Sequence, residues 1–100
     1  MPFDFEQIDD VIHGRVRLGI MAYLSRDEVA DFNQLKEVLN ATQGNLSVHL
    51  RKLEEAGYVK IIKGYLGRKP RTQVQITQQG RKAFKAYLRE MSQLIDGARE

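Results

Sequence analysis

One hundred residues make a single domain, since a second module would fall far below the usual size of about 100–200 residues. With 42% apolar and 29% charged residues the composition is that of an ordinary folded domain, and the lack of cysteine excludes disulfide stapling, thiolate catalysis, thiol redox sensing and cysteine-ligated zinc or iron–sulfur centres. The net charge of +3 hides an asymmetry: residues 1–40 hold four basic and eight acidic side chains (−4), and residues 41–100 hold twelve and five (+7).

The segment 51–71 alone carries +5, from Arg51, Lys52, Lys60, Lys63, Arg68, Lys69 and Arg71 against Glu54 and Glu55. Such a balance suggests a face built for a polyanion, although a solvated surface would look the same on charge alone. The two histidines stand thirty-six positions apart, so neither a metal site nor a cofactor is expected. No apolar run approaches the ~18–20 residues of a membrane span and no signal-peptide core is present. A cytoplasmic protein without a membrane partner is the expectation.

Residues 1–10 are acidic, with Phe3, Phe5 and Ile8 along one edge of a short helix. Residues 14–25 read as a longer helix: Val16, Ile20, Tyr23 and Leu24 share a face, while Leu18 and Met21 lie on another side. A helix apolar on more than one side is either central to the core or part of a subunit interface. Residues 26–31 read as a polar turn, and Asn33 or Asp31 as the cap of a helix carrying Leu35, Val38 and Leu39 and ending near Asn40.

Thr42 caps the next helix, which runs to about Ala56 with Leu46, Leu50 and Leu53 as its inward stripe, and Gly57 stands where a helix-ending glycine belongs. Two short helices joined by so short a turn, about residues 33–56, form a helix-turn-helix. Residues 58–63 are rich in β-branched and aromatic side chains, and residues 71–77 alternate with Thr72, Val74 and Ile76 inward. Between them GYLGRKP reads as a flexible hairpin loop, giving a wing over about 58–77. Thr77 caps a final helix over about 78–96, in which Phe84, Leu88, Met91 and Ile95 repeat at 4-3-4 spacing beside Tyr87 and Leu94.

The order is α-α-α-β-β-α: a mostly helical winged helix-turn-helix with one small hairpin. With Leu46, Leu50 and Leu53 turned inward, the other face of the third helix presents Gln43, Gly44, Asn45, Ser47, Val48, Arg51 and Lys52. Amides, hydroxyls, arginine and small apolar groups are what base edges in a major groove require. The wing adds Lys63, Arg68, Lys69 and Arg71, suited to phosphates or a narrow minor groove. His49 flanks the inward stripe and reads as a packing residue. Asp9 and Asp10 are adjacent and do not share a helix face, and no nucleophile–base spacing or phosphate-binding glycine loop occurs, so an enzyme is not expected.

The stretches NLSVHLRKLEEAGYV at 45–59, GRKPRT at 67–72 and ITQQGRKAF at 76–84 resemble the small winged-helix transcriptional regulators of bacteria and archaea related to the MarR and ArsR groups, over roughly residues 11–95. The resemblance implies a homodimer on a near-palindromic operator, with the 42–56 helix in the major groove and the 64–71 wing along the backbone or minor groove. It also implies that the terminal helices pair two copies. The residues point the same way: the seam of Phe84, Leu88, Met91 and Ile95 with Tyr87 and Leu94 beside it, and the doubly apolar helix around Leu18 and Met21, exceed what one small core buries, so these eight residues are the expected interface. The cysteine cluster of metal-sensing ArsR proteins is missing, so metal sensing does not carry over. A small-molecule effector is compatible with this reading, but no residue set marks its site, and with no length for an effector domain its pocket would lie at the dimer interface. A winged-helix module that binds protein or RNA remains the alternative, because fold does not dictate function.

Overall fold

The computed structural model describes residues 4–99, so Phe3 lies outside the described residues. After a short 3₁₀ turn at Phe5–Gln7 the chain forms α1 (Arg15–Asp27), β1 (Val29–Asp31), α2 (Phe32–Val38), α3 (Gln43–Glu55), β2 (Val59–Leu66), β3 (Lys69–Ile76) and α4 (Gln78–Ala98).

Local chemistry sets most of these boundaries. The Thr42 hydroxyl accepts the Asn45 N–H at 3.1 Å, and the Thr77 hydroxyl accepts that of Gly80 at 2.9 Å, so both helices start where a side chain satisfies a free donor. Asn40 takes φ +50° and turns the chain between α2 and α3. At the end of α3, Gly57 has φ +80°, and Tyr58 and Gly57 donate their N–H groups to the carbonyls of Leu53 and Glu54, a Schellman stop.

Two expectations are corrected. Residues 26–31 are not a turn: α1 runs on to Asp27, Glu28 takes φ +69°, and Val29–Asp31 adds a third strand. The sheet order is β1-β3-β2, all antiparallel, with Ala30 opposite Val74 and Ile61 opposite Val74 on the other side. Three residues are too few to show alternation; the strand exists because β3 offers it a partner. The wing is likewise no long loop. β2 and β3 pair up to Leu66 and Lys69, leaving only Gly67 and Arg68 in the turn. Gly67 at φ +65° supplies the left-handed first position that such a tight hairpin needs.

The core is one cluster drawn from every element. Ile12, Val16, Ile20, Met21 and Leu24 meet Leu35, Leu46, Leu50 and Leu53, with Val59, Val74, Ile76, Phe84 and Tyr87 closing it, none more than 6% exposed. Helix α1 is therefore the central helix. Met21, expected between two copies, is fully buried in its own chain, and Phe84 and Tyr87 are also taken up by this core. On α4 only Gly80, Phe84 and Tyr87 are buried, all in its first half.

One joint ties the parts together. The Thr77 hydroxyl also donates to the Gly57 carbonyl at 2.6 Å, and the Thr77 N–H reaches the Tyr58 carbonyl at 3.0 Å. A Cβ on Gly80 would collide with that same carbonyl, so α4 lies against the end of α3 with no room for a side chain.

Candidate nucleic-acid interface

The three leucines of α3 face the core, His49 beside them is half-buried, and by helical geometry the other positions face out. Gln43, Gly44, Asn45, Ser47, Val48, Arg51 and Lys52 are all exposed. Among the described residues the side chains of Gln43, Asn45, Ser47, Arg51 and Lys52 have neither a hydrogen bond nor an ion pair within the chain. These polar groups are left free for an outside partner.

Between α3 and the sheet runs a groove of about 470 Å³. Phe32, Leu50 and Ile61 floor it, and Gln43, Ser47, Arg51, Glu54, Lys63 and Thr72 rim it. Lys63 thus joins Arg51 at one opening, two cations from successive elements, α3 and β2. Arg68 and Lys69 are placed elsewhere, exposed at the tip of the wing.

Arg71 differs from the other wing cations. Its Nε donates to Asp31 Oδ1 at 3.1 Å, with both side chains about two-fifths exposed (36% and 42%). Asp31 does occupy the N-cap position of α2, but its carboxylate makes no cap bond and serves Arg71 instead. The partners lie forty residues apart, with no local pattern to announce them.

Behind α3, Arg17 of α1 reaches His49 Nδ1 at 3.1 Å and the carbonyls of Asp10 and His13 at 3.4 Å. A guanidinium only donates, so Nδ1 accepts and the imidazole is neutral. Partial burial, then the nearby Arg17 and Lys52 charges, lower the His49 pKa from its ordinary value. The N-terminal segment is tied down by Tyr58, which donates to Asp9 Oδ2 at 2.6 Å, and by the 2.9 Å bond between His13 Nδ1 and the Tyr87 hydroxyl. Burial and then the Asp9 carboxylate push Tyr58 up to about 12.

Sequence reasoning missed the apolar wing residues Tyr65 and Leu66, 74% and 65% exposed, by placing them in a loop. The β-rich run from Tyr58, continued through Leu66, is the signal that would have found them. Of the residues assigned to pairing, Leu88 and Ile95 are each 49% exposed and Leu18, Met91 and Leu94 are half-buried, whereas Met21, Phe84 and Tyr87 are unavailable.

A family model described as a winged helix DNA-binding domain matches residues 16–95, the span that holds α3, the wing and most of α4. The chain belongs to this winged helix DNA-binding family. An uncharacterized protein of Methanocaldococcus jannaschii is 45% identical to the winged-helix chain over 84 residues, covering 84% of this chain and 91% of that one. A solved structure from Pyrococcus horikoshii OT3, described as a transcriptional regulator homologue protein, is 42% identical with a TM-score of 0.83, covering 88% and 87% of the two chains. A PadR family transcriptional regulator from Eggerthella lenta is 26% identical with a TM-score of 0.68, covering 84% of the winged-helix chain and 80% of its own. A MarR family regulator from Silicibacter pomeroyi, 19% identical with a TM-score of 0.67, covers 88% and 58% and shares the fold. Among the described residues of the winged-helix domain, no helix is long and apolar enough to cross a membrane.

Proposed function

We propose that this protein is a transcriptional regulator that binds double-stranded DNA sequence-specifically, as a homodimer on a near-palindromic operator. The observation that carries the reading is the outward face of α3: its amide, hydroxyl and guanidinium groups have no partner among the described residues, and Gln43, Ser47 and Arg51 share a groove with Lys63 of the wing. Groups of this kind pair with base edges in the major groove. Gln43, Asn45, Ser47 and Arg51 read bases; Lys52, Lys63, Arg68 and Lys69 meet phosphates. Family membership supports DNA as the partner, and the likeness to the transcriptional regulator homologue of Pyrococcus horikoshii supports a role in transcription.

Dimerisation rests on the second half of α4. From Leu88 to Ala98 nothing is buried, yet Leu88, Met91, Leu94 and Ile95 form an apolar stripe along it. A second copy placed about a two-fold axis covers the stripe with itself, the self-complementary contact of a symmetric dimer.

Selection of bound duplexes from a random pool, followed by titration of the winning sequence against salt, tests the proposal. A motif with two-fold symmetry and an affinity that falls steeply with salt are expected. Recovery of no preferred sequence, with affinity for duplex DNA no better than for an uncharged competitor surface, would overturn it in favour of a protein- or RNA-binding module.

A further inference from the structure

Two residues on the exposed face of α3 are unexplained by the fold. Gly44 lies in the first turn, outside the left-handed region, and a Cβ added to it meets nothing within 4 Å. The chain itself has no need of glycine there, and glycine is a poorer helix former than alanine. Val48 is one turn further along the same line and 55% exposed. It is a β-branched, apolar residue on a face whose other exposed members are polar or glycine.

The major-groove edges of the bases present hydrogen-bonding groups everywhere except at one feature, the C5-methyl of thymine. A valine isopropyl group is apolar and, with a stiff χ1, loses little freedom on contact. It is also short. To reach a base edge it needs the helix to sit deep in the groove, unlike Arg51, whose long side chain reads from a distance. A bare position four residues before it removes what would hold that end of the helix away.

From this pairing we infer that Val48 reads a thymine methyl in each half-site, and that Gly44 is glycine so that the backbone of α3 sits close enough for it to do so. The inference rests on the DNA-binding reading and adds the base identity. Asn45 and Arg51, three residues to either side of Val48, read the neighbouring base pairs by hydrogen bonds.

The test starts from the duplex that the wild-type protein selects. Each thymine is replaced in turn by deoxyuridine, which removes the methyl and leaves base pairing intact. At one symmetry-related position wild-type binding weakens about fourfold per half-site, the effect of one buried methyl group. Val48→Ala binds the thymine and deoxyuridine duplexes alike. Gly44→Ala gives an independent arm: its melting temperature is equal to or above wild type, its affinity for the operator is lower, and its discrimination between the two duplexes shrinks. Tight wild-type binding with no thymine sensitive to the replacement overturns the inference, and so does full discrimination retained by Val48→Ala. Absence of any sequence preference in the wild-type protein fails the DNA-reading proposal itself, a separate result.

Discussion

Arg68 and Arg71 stand close together on the wing but differ in what charge they offer. Arg71 is held by Asp31, whereas Arg68 at the turn has no ion-pair partner among the described residues. Each phosphate neutralised contributes about −0.9 to the slope of log affinity against log salt, so Arg68→Ala in a dimer lowers the slope's magnitude by roughly 1.8. Arg71→Ala lowers it by less than half of that, and Asp31→Asn, which frees Arg71, steepens it; salt titrations of the three variants on one duplex make the comparison. His49 sets a pH dependence of stability. Its folded pKa lies below the ordinary 6.5, so between the two values the unfolded chain binds more protons than the folded one. Stability is therefore full above about pH 7, falls as the pH drops through 6.5, and levels off once the folded imidazole also titrates. Thermal melts from about pH 8 down to about pH 5 show this decline for wild type and a flatter profile for His49→Gln.

The apolar repeat of α4 splits between two environments. Phe84, 6% exposed, belongs to the core, and Phe84→Ala costs about 3–5 kcal/mol of stability. Leu88, four residues on and 49% exposed, is free to meet a second copy. Leu88→Glu keeps the fold, yields monomers by sedimentation equilibrium, and weakens operator binding together with the loss of pairing. Thr77→Ala removes the cap of α4 and the bond to Gly57 at once, and lowers stability by about 1–2 kcal/mol in a denaturant titration. What was legible in the sequence is what is local. As helix caps and a helix stop, Thr42, Thr77 and Gly57 act within a few residues of themselves, and the leucine stripe of α3 follows from helical period alone. Periodicity says that Met21 and Phe84 are apolar on a face but not what covers that face, and the chain's own core takes both. β1 and the Asp31–Arg71 pair depend on partners forty or more residues away and leave no local pattern. The exposure of the candidate residues on α3 is legible because burial of one helix face dictates exposure of the other.

At the scale of the molecule, the charge asymmetry of the sequence becomes a difference in engagement. The basic residues Arg51, Lys52 and Lys63 line or flank the α3 face, while Asp9 and Asp31 of the acidic half are engaged by Tyr58 and Arg71. The body is drawn out to 57 Å along one axis against 26 and 21 Å across. The joint at Thr77 governs how α3 and α4 relate. It binds the end of α3, the root of the wing and the start of α4 through two hydrogen bonds and a glycine pressed on a carbonyl. In the proposed dimer, two copies joined through α4 would carry their α3 helices as the jaws of a caliper, each set on its handle by this joint. Such a tool measures distance as well as helical phase. Inserting about five base pairs between the half-sites turns them to opposite faces of the duplex and abolishes tight binding. Inserting about ten restores the phase but not the separation, and binding stays lost, whereas two heads on slack tethers would recover it.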